Sequence, residues 1–238
     1  MTLHRSFDIA QRPSFELAAE VRREEVRFFC GLDLGQSHDP TAIAVVRRVR
    51  FLVSRDVHHS SPTWTEEKPT IYQCGYLERV PLHTVYPAIV SHVGRLLERP
   101  IWKGKIDLAI DQTGVGKPVA DLFSAAGLTF VGVMITGGAS ESSEGRSWNV
   151  PKMTLVSALQ ALLHEGRLHI QKELAEAAEL VRELQDFRVR YTDVGHLQFS
   201  AREGKHDDLV LALAIAVWRS QKKITRTQLV NFGDWMAR

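Results

Sequence analysis

Four aspartates in this chain stand at the ends of apolar segments. Asp33 closes the run VRFFCGLD, Asp111 closes IDLAID, and Asp207 and Asp208 open HDDLVLALAIAVW. A carboxylate at the end of a buried strand is costly to desolvate unless a positive charge compensates it. Several such groups meeting at one point are best explained by a bound divalent cation, and hard oxygen donors of this kind suit magnesium or manganese. Each acid also has an ordinary explanation. Asp33 and Asp111 could begin turns, and either member of the Asp207-Asp208 pair could cap a helix. The four together, in the order of elements that carries them, favour the metal site.

Those elements follow from periodicity. Residues 26–34 and the run from Thr41 are β-rich and flank the turn-prone QSHDP, which predicts a hairpin. Residues 51–69 lack periodicity and are expected to loop out before a third strand, TIYQCGYLERV. Val85, Ile89, Val93 and Leu96 have helical spacing, with Pro87 placed in the first turn. IDLAI then predicts a buried strand, VADLFSAAGL a helix closed by Gly127, and TFVGVMI a further strand. Strand–helix–strand alternation implies parallel pairing added to antiparallel hairpins.

The Gly/Ser-rich stretch from Gly137 to Trp148 predicts a mobile surface loop. Helices are expected from Pro151 to about His164 and from about Lys172 to Phe187, the second burying Leu180, Val181 and Leu184. VRYTDVGHLQFSA predicts a hairpin, and an amphipathic helix should begin at Asp207 or Asp208. The expected organisation is an N-terminal extension (1–25), one α/β domain (26–222) and a C-terminal tail (223–238).

Composition narrows the function classes. The chain has 238 residues, 44% hydrophobic and 24% charged, which suits a single sizeable core. Charges or Gly/Pro interrupt every apolar run before it reaches membrane-spanning length, and the charged N-terminal segment does not have the pattern of a secretory signal. A cytoplasmic setting is expected. Cys30 and Cys74 lie in apolar surroundings and are expected to be buried free thiols. A net charge of +2 does not by itself discriminate between nucleic-acid binders and other enzymes.

GLDLGQSHDPTAIAVV, AIDQTGVGKPVADLF and GKHDDLVLALAIAVW resemble the three acidic motifs of the nuclease domain of phage terminase large subunits, and VPKMTLVSALQALLHEGRLHI resembles the segment joining the last two. The resemblance spans roughly residues 28–219. It implies a ribonuclease-H-like mixed sheet flanked by helices, related to Holliday-junction resolvases, and cleavage of double-stranded phage DNA during packaging in a bacterial host cell. It makes Asp33 the first metal-binding acid, Asp111 the second and the Asp207-Asp208 pair the third; helix phase, which puts Asp208 one turn before Ala212 on the buried face, selects Asp33, Asp111 and Asp208 as the catalytic set. The same acids together with Asp207 become ligands of Mg2+ or Mn2+, with two ions and Asp33 bridging them. One ion would activate water for in-line attack and the other would stabilise the departing 3′ oxygen. A separate packaging ATPase, a small terminase subunit or a portal would be its partners. The sequence departs from the full terminase pattern in having only about two dozen residues before the first strand, where a motor subunit carries an ATPase domain.

Other residues have less specific signals. Arg146, Lys152, Arg188, Arg190, Arg202 and Lys205 are placed to hold a phosphate backbone without reading sequence, with solvated surface charge as the competing explanation. Trp148 would stack on a base or anchor its loop to the core. His38, His58, His59 and His206 show no metal-ligand spacing, although His206 adjoins Asp207. GVGKP at Gly114–Pro118 lacks the spacing of a phosphate loop; its glycines would let a phosphate approach the next helix while Lys117 supplies charge, or would serve only a tight turn.

Three alternatives compete with this reading. A resolvase-like nuclease for branched DNA shares the ligand set. An actin- or sugar-kinase-like ATP-binding protein shares the core, but generally duplicates it and has no use for HDDLVLALA. A non-catalytic packaging module would have no reason to retain every acid.

Overall fold

The computed structural model describes residues 20–35, 39–54, 63–114, 116–186, 188–191, 197–200 and 207–222. Its centre is an eight-stranded mixed sheet. Strands β1 (Val21–Asp33), β2 (Ala42–Ser54) and β3 (Thr65–Arg79) form an antiparallel meander. β4 (Ile106–Asp111) pairs parallel to β1, and β5 (Phe130–Thr136) parallel to β4. Helix α1 (Tyr86–Leu97), with proline in its first turn, connects β3 to β4, and α2 (Gly116–Ala125) connects β4 to β5. Gly127, at φ 74°, lies just past the end of α2.

β6 (Ser142–Glu144) and β7 (Ser147–Pro151) form a hairpin whose second strand pairs parallel to β5. β8 (Leu168–Ile170) pairs parallel to β3 at the opposite edge, giving the order β6-β7-β5-β4-β1-β2-β3-β8. Helices α3 (Lys152–His164) and α4 (Ala177–Asp186) flank β8 in the chain. β9 (Arg188–Tyr191) and β10 (Leu197–Ser200) pair separately as the expected hairpin, and α5 (Asp208–Gln221) follows.

Period-two alternation along the strands divides the core between the two faces of the sheet. Cys30, Leu32, Ile43 and Ile110 pack with Ile89, Val93 and Phe123 under α1 and α2. Phe29, Ala42, Ala44 and Ala109 face the other way, against Leu155, Leu180, Leu213 and Trp218 of α3, α4 and α5. Cys30 and Cys74 are free and buried, one on each face. Burial pushes both thiols up to about 12, which leaves them unreactive.

Four expectations change. The Gly137–Trp148 stretch is not a free loop, because residues 147–151 pair on the edge of β5, which would otherwise be left open, and residues 142–144 pair in turn on 147–149. Strands β2 and β3 run on into the segment expected to be irregular, through residues 51–54 and 65–69, where ion pairs such as Arg50–Glu66 at 2.8 Å replace apolar alternation, and β1 pairs with β2 from Val21, inside the expected N-terminal extension. α4 begins at Ala177, and Val181 is exposed while Glu183 is buried. Finally, α5 is not amphipathic. Residues 208–220 are all buried, because α3 and α4 cover the side that faces away from the sheet.

No helix among the described residues is long and apolar enough to cross a membrane.

Candidate active site

β1, β3, β4, β5 and β7 run in one direction, so their C-terminal ends form one edge of the sheet. The pairing register places Asp33, Ala42 and Arg79 in a single row across β1, β2 and β3. Residues in one row share a face, and Ala42 belongs to the core under α5; Asp33 and Arg79 therefore stand on the α5 side with a small side chain between them. Asp111 ends β4 two residues after Ala109, which faces the same way.

The approach of α5 depends on Gly31. A Cβ at this position would overlap the backbone of Ala212 and Ala216. With Gly on the strand and Ala on the helix, α5 lies close against β1 and its first residue, Asp208, is carried to the edge where Asp33 and Asp111 end. Asp208 is 4% exposed. Asp207 is the half-buried residue preceding the helix, and its side chain makes no capping hydrogen bond.

These carboxyls are near enough to act on one another. The Asp33 pKa is raised well above the usual carboxylate range, first by burial and then by Asp111, Asp208 and Asp207, with Lys152 opposing. As a residue Asp33 is half-buried. Asp111 is also raised by burial, against the hydrogen bond that its Oδ1 accepts from the Thr113 amide at 2.7 Å and a hydrogen bond with Asp33. Thr113 is itself fixed, because its Oγ1 accepts the Ile135 amide at 2.7 Å. The turn beyond it uses Gly114 at φ 84°, a conformation that favours glycine.

Two cations enter the cluster. Arg79 Nε donates to Asp208 Oδ2 at 2.9 Å, while its terminal nitrogen donates to Glu183 Oε1. Lys152, the first residue of α3, donates to Asp207 Oδ2 at 2.7 Å. Glu183 of α4 is 4% exposed, and its other oxygen accepts the Val210 amide in the first turn of α5 at 3.0 Å. Burial holds the Glu183 pKa up at about 7, outweighing the amide and Arg79. Among the described residues, no three acidic, histidine or cysteine side chains are gathered closely enough to hold an ion as they stand. Asp207 and Asp208 are instead engaged by Lys152 and Arg79.

Arg79 and Glu183 have no clear signature in the sequence. The one available signal was phase: Glu183 lies three residues after Leu180 and one before Leu184, on the stripe that faces the core. Lys152, expected as a phosphate contact, is an ion-pair partner of Asp207. Arg146 and Lys117 are exposed. Trp148 anchors the β6–β7 hairpin, with its ring edge-on to Trp218 at 5.5 Å and Lys222 Nζ 5.4 Å from its centroid. Arg188 and Arg190 belong to β9. Arg202, Lys205, His38, His58, His59 and His206 lie outside the described residues.

A cavity of about 540 Å³, lined by Arg27, Arg48, Arg50, Arg167 and Lys222 among others, opens far from these acids. Arg27 is six residues before Asp33 along β1, roughly 20 Å at strand rise. Arg27, Arg48 and Arg50 are engaged by Glu25, Glu66 and the Ser220 carbonyl at the end of α5, Arg167 by Glu165 and the Thr70 carbonyl, and Lys222 by Glu141.

Neither protein-family models nor curated proteins give a match to the chain. Solved structures do. The large terminase nuclease of thermophilic phage G20c is 20% identical, with 84% of each chain covered and a TM-score of 0.55. The same nuclease with bound magnesium is 22% identical over 84% of this chain and 83% of that one, with a TM-score of 0.56. The large terminase nuclease domain of Thermus phage P74-26 is 18% identical over 84% and 82%, with a TM-score of 0.54. The β3-β2-β1-β4-β5 core and the helices on both of its faces thus form a ribonuclease-H-like fold, the one shared by the large terminase nucleases of thermophilic phages.

Proposed function

We propose that this chain is a divalent-metal-dependent endonuclease that hydrolyses phosphodiester bonds in double-stranded DNA, in the manner of the terminase nucleases whose fold it shares. The observation that carries the proposal is the placement of Asp33, Asp111 and Asp208, from β1, β4 and α5, at one edge of the sheet, near enough for Asp111, Asp208 and Asp207 all to act on Asp33. Acids that raise one another's pKa in a crowded site call for a compensating cation, and their oxygens suit magnesium or manganese. A G20c nuclease structure with magnesium supports the choice of metal.

Asp33, Asp111 and Asp208 would be the direct ligands, with Asp33 central and Asp207 at the side. A pair of ions held there would supply activated water and neutralise charge on the leaving oxygen. Asp111 is kept in place by the Thr113 amide and Asp208 by its position at the start of α5. Backbone phosphates would be met without base-specific contacts, by exposed cations such as Arg146 and Lys117. In a phage setting the protein would act in the host cytoplasm with a packaging ATPase, small terminase subunit or portal.

Incubation of supercoiled plasmid with the purified chain tests the proposal. Nicking and linearisation are expected with Mg2+ or Mn2+ and none in excess EDTA. Cleavage that survives the chelator, or no cleavage with any divalent ion, overturns it. A four-way-junction substrate in parallel distinguishes a packaging-type nuclease, indifferent to branching, from a resolvase-type one.

A further inference from the structure

Asp207 and Asp208 are adjacent, yet each carboxylate is paired with a cation from a different side of the site. Arg79 reaches Asp208 from β3, and Lys152 reaches Asp207 from the start of α3, on the far side of β4 and β5. Lys152 also acts on Asp33 and Asp111, lowering the cost of their charges. The cationic charge that an acidic cluster needs is thus already present in part, tethered to the chain.

Arg79 has further acceptors, Glu183 in hydrogen-bond contact and Glu179 at 3.8 Å. Glu183 holds the terminal nitrogen of the same guanidinium and is itself fixed by the Val210 amide. A guanidinium shared between two carboxylates can give up one and remain paired with the other. The arrangement accounts for acids that lie close enough to repel one another without converging into an ion cage.

We propose that Arg79 and Lys152 are built-in counter-cations that compete with the divalent ion for Asp208 and Asp207, and that Glu183 retains Arg79 when Asp208 turns to the ion. The site's demand for metal is then set by these ion pairs as well as by the ligands. The proposal rests on the metal-dependent reading above. It gives Arg79, Lys152 and Glu183 positioning roles, since none of them touches the reacting atoms.

The test reads metal binding directly. The full chain and its Arg79→Gln, Lys152→Gln and Glu183→Gln variants are titrated with Mn2+ alone, by calorimetry and by the rise in melting temperature over an EDTA reference. Arg79→Gln and Lys152→Gln should melt below the wild type in EDTA, gain more from Mn2+, and half-saturate at a concentration at least about threefold lower, because a like charge has left the neighbourhood of the ion. Glu183→Gln should move half-saturation upward, because Arg79 then loses its closest alternative acceptor and leans more on Asp208, with only the looser Glu179 pair at 3.8 Å left to share it. A purely structural role would lower all melting temperatures and leave the metal-induced rise unchanged. If Arg79→Gln does not fold, Lys152→Gln, at the more open side of the site, carries the test. An Mn2+ response in the wild type that is matched or exceeded in half-saturating concentration by both cation variants overturns this proposal alone. No Mn2+ response in the wild type overturns the metal site itself, and this proposal with it.

Discussion

Lys152 Nζ lies 2.7 Å from Asp207 Oδ2, joining the first residue of α3 to the residue that precedes α5. Asp208, next in the chain, is turned instead to Arg79. Neighbouring residues at a helix start differ by about 100° in direction, and here they meet different cations. Their contributions should therefore differ. Asp208→Asn and Asp33→Asn are expected to remove nearly all plasmid cleavage. Asp207→Asn should lower it by about 10- to 100-fold, as loss of a supporting contact does, with part of the rate recovered at high Mn2+. A dead Asp207→Asn beside an active Asp208→Asn would exchange the two roles.

Gly31→Ala tests the contact that brings α5 to the strand ends. A methyl group would meet the backbone of Ala212 and Ala216, which cannot move aside as a flexible side chain can. A stability loss of about 1–3 kcal/mol or more is expected from the overpacking. Chemical denaturation measures the loss, and activity should fall with it, because Asp208 is displaced along with its helix.

Trp148→Ala separates two roles for this ring. Its packing against Trp218 at 5.5 Å and beneath Lys222 predicts a destabilisation of about 3 kcal/mol, near the lower end for tryptophan truncation because the side chain is only half-buried. DNA affinity, read by fluorescence anisotropy at low temperature where the variant is folded, should be unchanged. A large loss of affinity in a fully folded variant would show that Trp148 touches DNA.

The pH dependence of stability should carry the imprint of the acids. Asp33, Asp111 and Glu183 all have pKa values raised by folding, that of Glu183 to about 7. The folded chain therefore binds more protons than the unfolded one above the ordinary carboxylate range, and stability must fall as pH rises. This contribution is complete below about pH 4, where the unfolded carboxyls are also protonated, and is lost as pH rises through the folded values towards 7. Melting temperatures in EDTA should decline across that window, and saturating Mn2+ should flatten the decline. A metal-free protein that gains stability between about pH 5 and 7 would contradict the shifts.

The strands, the crossover helices and the four aspartates were legible in the sequence, because period-two and 3.6-residue patterns and the ends of apolar runs are local properties. IDLAID announces a buried strand and an acid at its end without reference to any other segment. What local pattern could not supply is pairing across distance. Arg79 meets Asp208 across 129 positions and Glu183 across 104, so nothing local to β3 or α4 marks Arg79 and Glu183 as partners of the acids. Residues 142–144, 147–151 and 168–170 became strands because edges of β5 and β3 were open to them, while their own composition favours loop or is too short to read. The uniform burial of α5 was likewise decided by α3 and α4, which cover the face that the helix alone would leave to solvent. Sequence determined which residues could carry charge into the core. The tertiary structure decided which of those charges are paired, because desolvation and Coulomb energy depend on the neighbours that folding brings within a few ångströms.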